Sequence, residues 1–256
     1  MTPSLRTLAR KILAVARTPT YFLPWLTRDG LDCTLILNNV EARFVEGHRH
    51  GPFPVSAVQY DADGLEVKRY DITLADSTDT AEVALEPTAR GCGFVTVDVT
   101  RIHSDLYVVL SDGVAYAATH GRHEFIEHYP PWTRLIMALL GGALALAGRT
   151  IPAFVRHQYV YAGPRSRSHL LLLNLSNVTN RIRVTTHREG ASSLSRLVRV
   201  PPMGARLLDA GELAGSTMRG PSVMQVTLHG NAWFNLYLVG AGARDMDGPL
   251  SLMHVK

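Results

Sequence analysis

Residues 54–74, with the sequence PVSAVQYDADGLEVKRYDITL, contain the pattern that decides the fold of this chain. Hydrophobic and polar residues alternate on both sides of the Ala-Asp-Gly sequence at 62–64, and such alternation is typical of strands with one buried face. Glycine at position 64 accepts the positive φ that a tight hairpin needs. The segment therefore predicts two antiparallel strands, 54–61 and 65–74, joined by a short turn.

Short strands and turn signals continue along the first half of the chain. We expect further strands near 31–38, 80–86, 92–101, 105–111, 114–119 and 123–128. Asp112 and Gly113 predict a second hairpin turn. No helical pattern separates these strands, so the crossover helices of a parallel α/β fold have no candidates. The spacing predicts a mainly β fold, an antiparallel β-sandwich of immunoglobulin-like or jelly-roll-like type.

Several segments of the first half recur in the same order in the second half. The matches pair 13–18 with 144–150, 35–39 with 171–175, 58–64 with 184–190, 106–107 with 236–237, and 125–128 with 252–254. Each match is weak alone. Because the matches are collinear, they predict a tandem duplication of one unit, a β-sandwich preceded by a short α-helix.

The 256 residues then divide into four segments. We expect an amphipathic basic helix over 1–20 and a first, acidic and histidine-rich β-sandwich over 21–130. An apolar linking helix over 131–150 would join it to a second, basic β-sandwich over 151–256. The length and the hydrophobic fraction of 46% are sufficient for such cores, and they exclude disordered and collagen-like classes.

The formal net charge of +4 conceals a division between the two halves. Residues 1–128 carry 12 basic and 17 acidic side chains, a net charge of −5, whereas residues 129–256 carry 14 and 5, a net charge of +9. No Asp or Glu occurs between 129 and 188. A basic half of this kind indicates an anionic partner.

Two acid-free segments have the properties of helices that either lie on a membrane surface or pack against the protein itself: 1–20 could dock on its own protein, and 135–148 could be a buried helix. In 1–20, aliphatic residues recur with the 3-4-3 spacing of one helical stripe, which is also typical of an organelle transit peptide. The apolar run 135–148 is about 21 Å long as a helix and cannot span the roughly 30 Å of bilayer hydrocarbon. We therefore expect membrane association without a spanning helix. The residues expected to contact an anionic surface are Arg6, Arg10, Lys11, Arg17, Arg134, Arg149 and Arg156.

Six of the eleven histidines lie in the first unit. If its strands alternate in direction, the loops at 39–53, 75–79, 102–104 and 120–122 emerge at one end. Several imidazoles beside a carboxylate suit a transition metal such as Zn or Fe. The candidate ligands are His48, His50, His103, His120 and His123, with Glu46, Asp76 and Asp79 as oxygen donors. Loop histidines without a metal are the simpler alternative.

The two cysteines, Cys33 and Cys92, are 59 residues apart, a separation that resembles the inter-sheet cystine of immunoglobulin domains. The second unit has no counterpart of either cysteine. Two buried thiols are therefore the alternative to a disulfide.

No segment carries a phosphate-binding glycine-rich loop, a Gly-x-Ser-x-Gly elbow or a paired CxxC motif. Nucleic acid is disfavoured because no RNA-binding signature accompanies the basic residues. We expect a non-catalytic binding or scaffold protein, peripherally associated with an anionic membrane surface or with a larger assembly of protein partners or further copies of itself. The alternative is a metal-dependent enzyme or metal-binding protein that uses the histidine-bearing loops.

Overall fold

The computed structural model describes residues 15–28, 30–47, 50–76, 78–98, 104–187, 192–214, 221–242 and 251–254. These residues form mainly strands, which pair in several antiparallel sheets. The expected mainly β, antiparallel architecture is confirmed.

In the described residues, the first half of the chain contributes nine strands. They are β1 (Ala16–Leu26), β2 (Asp32–Asn38), β3 (Phe53–Asp61), β4 (Glu66–Leu74), β5 (Thr80–Ala84), β6 (Cys92–Val97), β7 (Tyr107–Ser111), β8 (Tyr116–His120) and β9 (Arg122–His128). A 3-10 helix, Val40–Phe44, follows β2. Sheet I has the strand order β4-β3-β6-β1-β9, and sheet II has the order β5-β2-β7-β8.

The second half contains the helices and a third sheet. Its elements are α1 (Pro131–Leu146), β10 (Phe154–Ala162), β11 (Ser166–Leu173), β12 (Asn180–His187), β13 (Leu194–Val200), β14 (Ala205–Asp209), α2 (Ala210–Ala214), β15 (Ser222–Gly230), β16 (Asn235–Gly242) and β17 (Ser251–His254). Sheet III has the order β13-β12-β15-β10-β11-β16-β17, with β14 paired to β11. The β10–β11 register in the described residues is the single pair Ala162 and Arg167. Sheet III therefore has two parts, β13-β12-β15-β10 and β14-β11-β16-β17.

Two clusters of buried side chains lie between these layers. The first joins sheets I and II, through residues such as Trp25 and Leu35, to one face of β14-β11-β16-β17, through residues such as Leu171. The second lies between the two parts of sheet III and includes Leu172 and Val226. Because Leu171 and Leu172 point to opposite faces of β11, this strand is buried on both sides. The two halves of the chain therefore share the first core.

The hairpin expected around Gly64 joins β3 to β4. The Asp61 carboxylate accepts hydrogen bonds from the N–H groups of Asp63 and Leu65, both at 2.9 Å. Gly64 has a φ of +82°, and a Cβ there would overlap the carbonyl oxygen of Pro202. Only glycine meets both conditions, so this turn fixes the hairpin and also a contact between the two halves.

Strand β1 is the main difference from the sequence-based expectation. We expected a helix over 1–20, whereas Ala16–Leu26 is one strand that pairs with β6 and β9. The helix prediction is therefore wrong for residues 16–20, and residues 1–14 lie outside the described residues. Pro19 and Pro24 lower the strand propensity of this segment, because proline lacks the N–H that pairs with a neighbouring strand and is rare inside sheets.

Candidate functional site

Helix α1 is a run of good helix formers between two clear end signals. Pro131 occupies the start of the helix, where its missing N–H costs nothing. Beyond the last turn, Gly148 has a φ of +63°. The N–H groups of Gly148 and Arg149 donate to the carbonyls of Ala145 and Leu144 at 3.0 and 2.8 Å. These two bonds form a Schellman C-cap.

Most large apolar side chains of α1 face solvent. Thr133 and Gly141 are its buried residues. The exposed ones, which we call the apolar face of α1, are Trp132 (69% exposed), Leu135 (46%), Ile136 (45%), Leu139 (65%), Leu140 (55%) and Leu146 (94%). The apolar stripe of a surface helix normally faces the core. An outward apolar face of this size makes α1 a candidate binding surface.

Two exposed arginines, Arg134 and Arg149, lie within and just beyond α1. No carboxylate of the described residues pairs with either guanidinium, and the sequence has no acidic residue from 129 to 188. In the described part of the chain, no helix has the length and apolarity to cross a membrane. With 16 residues α1 is about 24 Å long, and its exposed apolar face suits a position along an interface.

Strands β1 and β9 run together to the start of α1. Ala16 pairs with His128, and α1 begins at Pro131. The chain that precedes Val15 therefore joins the fold beside the start of α1. The predicted surface residues Arg6, Arg10 and Lys11 belong to that segment and lie outside the described residues.

Two other arginines expected at the surface are engaged within the chain. Arg17 donates a hydrogen bond to the buried Glu127 carboxylate at 3.0 Å. Arg156 donates through Nε to the carbonyl of Phe234 at 3.1 Å, and its guanidinium carbon lies 4.7 Å from the Trp233 ring centroid. Burial lowers the pKa of Arg156. We therefore assign Arg156 to the packing of β10 rather than to an anionic surface.

A cleft of about 410 Å³ lies between α1 and the connection from β11 to β12. Its walls include Arg134, Leu135, Met137, Val178, Arg181 and Pro202. The side chain of Asn177 exchanges hydrogen bonds with the backbone of Tyr129 at 2.8 and 3.1 Å. At the other end of α1, the Thr150 hydroxyl donates to the carbonyl of Arg181. The two walls of the cleft are thus tied together on both sides.

Arg181 lies directly against α1. A Cβ added at Gly141 would come within 2.9 Å of its Nη1 atom, so glycine allows the guanidinium to pass under the helix. Arg199 lies opposite Arg181 in the register of β12 and β13. No carboxylate of the described residues forms an ion pair with the Arg181 guanidinium. Burial, and then the Arg199 charge, lower the pKa of Arg181. An anion in the cleft would favour the charged guanidinium and so oppose both effects.

Positive charge continues along the outward face of β12 and β15. Arg183 lies on the same face as Arg181, because side chains two residues apart on a strand point the same way. It pairs in register with His229. Burial, then Arg183 and His157, lower the pKa of His229. This face therefore carries several basic side chains, and no carboxylate of the described residues forms an ion pair with Arg181 or Arg183.

Arg181, Arg183 and Arg199 were not among the residues expected at an anionic surface. Their signal in the sequence is the alternation of arginines at 181 and 183 within the acid-free run. Alternation alone does not show which face of the strand is outward, and the proximity of Arg181 to Gly141 depends on tertiary packing.

The structure brings together part of the predicted histidine site. The start of β3 lies beside the end of β4 (Phe53 and Leu74), and the start of β7 lies beside the end of β8 (Tyr107 and His120). The loops that precede β3 and follow β4 therefore share an end, as expected, and His50 Nδ1 lies 3.2 Å from Asp76 Oδ2.

Of the other candidate histidines, the structure describes His120 and His123, and neither joins that pair as a metal ligand would. His123 packs edge-on against Tyr21, with ring centroids 4.6 Å apart. His120 ends β8, while His48 and His103 lie outside the described residues. Among the residues that the structure does describe, no three His, Cys, Asp or Glu side chains come together as metal ligands would.

Cys33 and Cys92 are free, buried thiols rather than a disulfide. Burial raises the pKa of Cys33 to about 12 and that of Cys92 to about 11. The alternative of two buried thiols is therefore the one that the structure shows.

No known family model and no curated protein matches this chain. Among solved structures, a partial match is the crystal structure of Thermotoga maritima 1070, with 17% sequence identity and a TM-score of 0.28. The match covers 38% of this chain and 90% of that chain. At this identity and TM-score it carries no conclusion about fold or function.

Proposed function

We propose that this chain is a non-catalytic tandem β-sandwich protein that docks peripherally on an anionic membrane surface through α1. The observation that carries the proposal is the apolar face of α1, which is exposed and has beside it Arg134 and Arg149, two cations that pair with no carboxylate of the described residues. An amphipathic helix of this kind buries its apolar side at the boundary between headgroups and acyl chains, while its cations contact lipid phosphates.

The ends of α1 suit this orientation. Trp132 is exposed at the start of the helix, and tryptophan favours the membrane interface because its ring is apolar and its N–H is polar. The segment that contains Arg6, Arg10 and Lys11 joins the fold beside the same end. We propose that it adds further cations to the docking surface.

The order of the strands supports the tandem part of the proposal. Adding nine to each strand number converts β4-β3-β6-β1 into β13-β12-β15-β10, and β5-β2-β7-β8 into β14-β11-β16-β17. β9 and α1 lie between the two sets. In each set the two groups of strands enclose buried side chains, as the layers of a β-sandwich do. The sandwiches would act as a rigid platform behind α1.

Vesicle flotation tests the docking proposal. We expect the protein to float with vesicles that contain phosphatidylserine, to stay unbound with pure phosphatidylcholine, and to lose binding at high salt because screening weakens the charged contacts. The double variant Leu139→Gln, Leu140→Gln should lose roughly tenfold or more in affinity, since two large apolar side chains no longer insert.

Val114→Gln is the matched control, because Val114 is 98% exposed and lies in the β7–β8 turn, far from α1 in the chain. Binding that ignores both anionic lipid and the α1 variant would overturn the proposal. If the protein instead forms a discrete oligomer through α1, a second copy rather than lipid covers the apolar face.

The second candidate is a metal-binding function at the loops of the first half. The contact between His50 and Asp76, on loops that share an end, favours it. Elemental analysis of the purified protein decides between the two. Stoichiometric Zn or Fe that is lost in the variant His48→Ala, His50→Ala would support the metal site.

A further inference from the structure

The cleft beneath α1 combines two kinds of wall. Arg134 and Arg181 contribute guanidinium groups without carboxylate partners among the described residues, whereas Leu135, Met137 and Val178 contribute apolar surface. A purely ionic ligand would leave the apolar wall unused, and a purely apolar ligand would bury two unbalanced cations. The lining therefore fits a molecule that joins an oxyanion to hydrocarbon.

We propose that this cleft binds the phosphomonoester group of an anionic phospholipid, with Arg134 and Arg181 on the phosphate oxygens and the adjoining hydrocarbon against Leu135 and Met137. The inference rests on the proposed function, because it names the lipid group that the docking surface selects. Arginine suits this role because its planar donors match phosphate geometry in bidentate fashion.

The position of the cleft supports a lipid source for the phosphate. Leu135 belongs both to the cleft and to the apolar face of α1, so the cleft is continuous with the surface that would enter the membrane. The ties from Asn177 to Tyr129 and from Thr150 to Arg181 hold the walls in place before a ligand arrives. Phosphatidic acid offers an unhindered phosphomonoester, whereas in phosphatidylserine the serine covers the phosphate.

Two flotation series separate this cleft from general docking. The first series compares vesicles of phosphatidic acid with vesicles of phosphatidylserine that have the same surface potential. The wild-type protein should bind the phosphatidic acid vesicles with roughly tenfold higher affinity. Arg181→Gln should remove that preference and leave binding to phosphatidylserine vesicles nearly unchanged. The double variant Leu139→Gln, Leu140→Gln should weaken binding to both.

A pair of glycine variants tests the position of the guanidinium without removing it. Gly141→Ala places a Cβ 2.9 Å from Arg181 Nη1, so the flexible end of the side chain must move. Gly142→Ala meets no atom within 4 Å and is the matched control. We expect the first variant to lose the preference for phosphatidic acid and the second to keep it.

A soluble lipid distinguishes failure of the cleft from failure of docking. Titration calorimetry with dihexanoyl phosphatidic acid below its micelle concentration should show binding that Arg181→Gln weakens roughly tenfold, and inorganic phosphate should bind more weakly than the lipid. Binding of the soluble lipid without vesicle flotation would support the cleft and reject membrane docking. If the protein floats with vesicles but shows neither a preference for phosphatidic acid nor binding of the soluble lipid, the cleft proposal is rejected and membrane docking stands. If inorganic phosphate binds as tightly as the soluble lipid, the proposed contact between the cleft and hydrocarbon is rejected.

Discussion

Two apolar segments of this chain, β1 and α1, have similar side chains and opposite surroundings. Residues 20–26 of β1 are all buried, whereas six large apolar side chains of α1 are exposed. β1 has paired strands on both sides, while α1 rests on the fold through a narrow stripe that includes Thr133 and Gly141. An apolar segment is therefore buried only where another element of the fold covers it. We propose that lipid covers α1.

Two tryptophan variants should give the largest contrast between these segments. Trp25 is fully buried in β1, and its Nε1–H donates to the carbonyl of Tyr60 at 3.0 Å. Trp25→Ala should lower the free energy of unfolding by about 3–5 kcal/mol, through the cavity and the lost hydrogen bond. Trp132→Ala should change it by less than about 0.5 kcal/mol. Urea denaturation measures both, and equal losses would mean that α1 is covered in solution.

The contrast also explains how far the sequence could predict the fold. The hairpin at 62–64 was predicted because its turn chemistry is local: the Asp61 carboxylate and Gly64 act within five residues. β1 was not predicted, because it is held as a strand by pairing with β6 and β9, which come much later in the chain. Its two prolines moreover lower the strand propensity of the segment.

The candidate site divides in the same way. The acid-free run predicted Arg134 and Arg149, since the absence of acidic residues is visible in the sequence itself. The cleft was not predicted, because it depends on Arg181 passing under Gly141, a contact between residues 40 positions apart. Exposure of the apolar face of α1 likewise follows from what the sheets leave uncovered.

Thiol reactivity should report the burial around β1 with the next largest effect. Cys92 lies opposite Leu26 of β1, and Cys33 lies on the next strand of the chain. Their pKa values of about 11 and about 12 leave the thiolate roughly 100- to 1000-fold scarcer at about pH 9 than in an unfolded chain. Iodoacetamide labelling, followed by mass spectrometry, should be slower in the folded protein by at least that ratio.

The same pKa shifts give a sign for the pH dependence of stability. Above about pH 9 the thiols of the unfolded chain lose protons while those of the folded chain keep them, so the free energy of unfolding should fall as the pH rises. In the labelling experiment, rapid reaction of Cys92 with iodoacetamide under native conditions would show that the end of β1 near Leu26 opens far more often than its burial implies.

A charge variant beside α1 should have a smaller effect, confined to binding. Arg149→Gln should weaken binding to phosphatidylserine vesicles roughly fivefold, because one cation near an anionic surface contributes about 1 kcal/mol. Arg69→Gln is the control, since Arg69 is exposed but paired with Glu66 at 3.0 Å in the first half. Flotation at low salt measures both, and equal losses would indicate attraction by net charge rather than docking through α1.

The smallest expected effect is also the most discriminating, because its sign differs between the two segments. Gly142→Ala should raise the free energy of unfolding by up to about 1 kcal/mol, since alanine favours the helix and meets no atom within 4 Å. Gly93→Ala should lower it, because a Cβ opposite Trp25 would overlap the carbonyl of Tyr60. In α1 helix propensity decides the outcome, since no atom of the described residues contacts an added Cβ there, whereas beside β1 packing decides it. A loss of stability in Gly142→Ala would mean that α1 is packed after all.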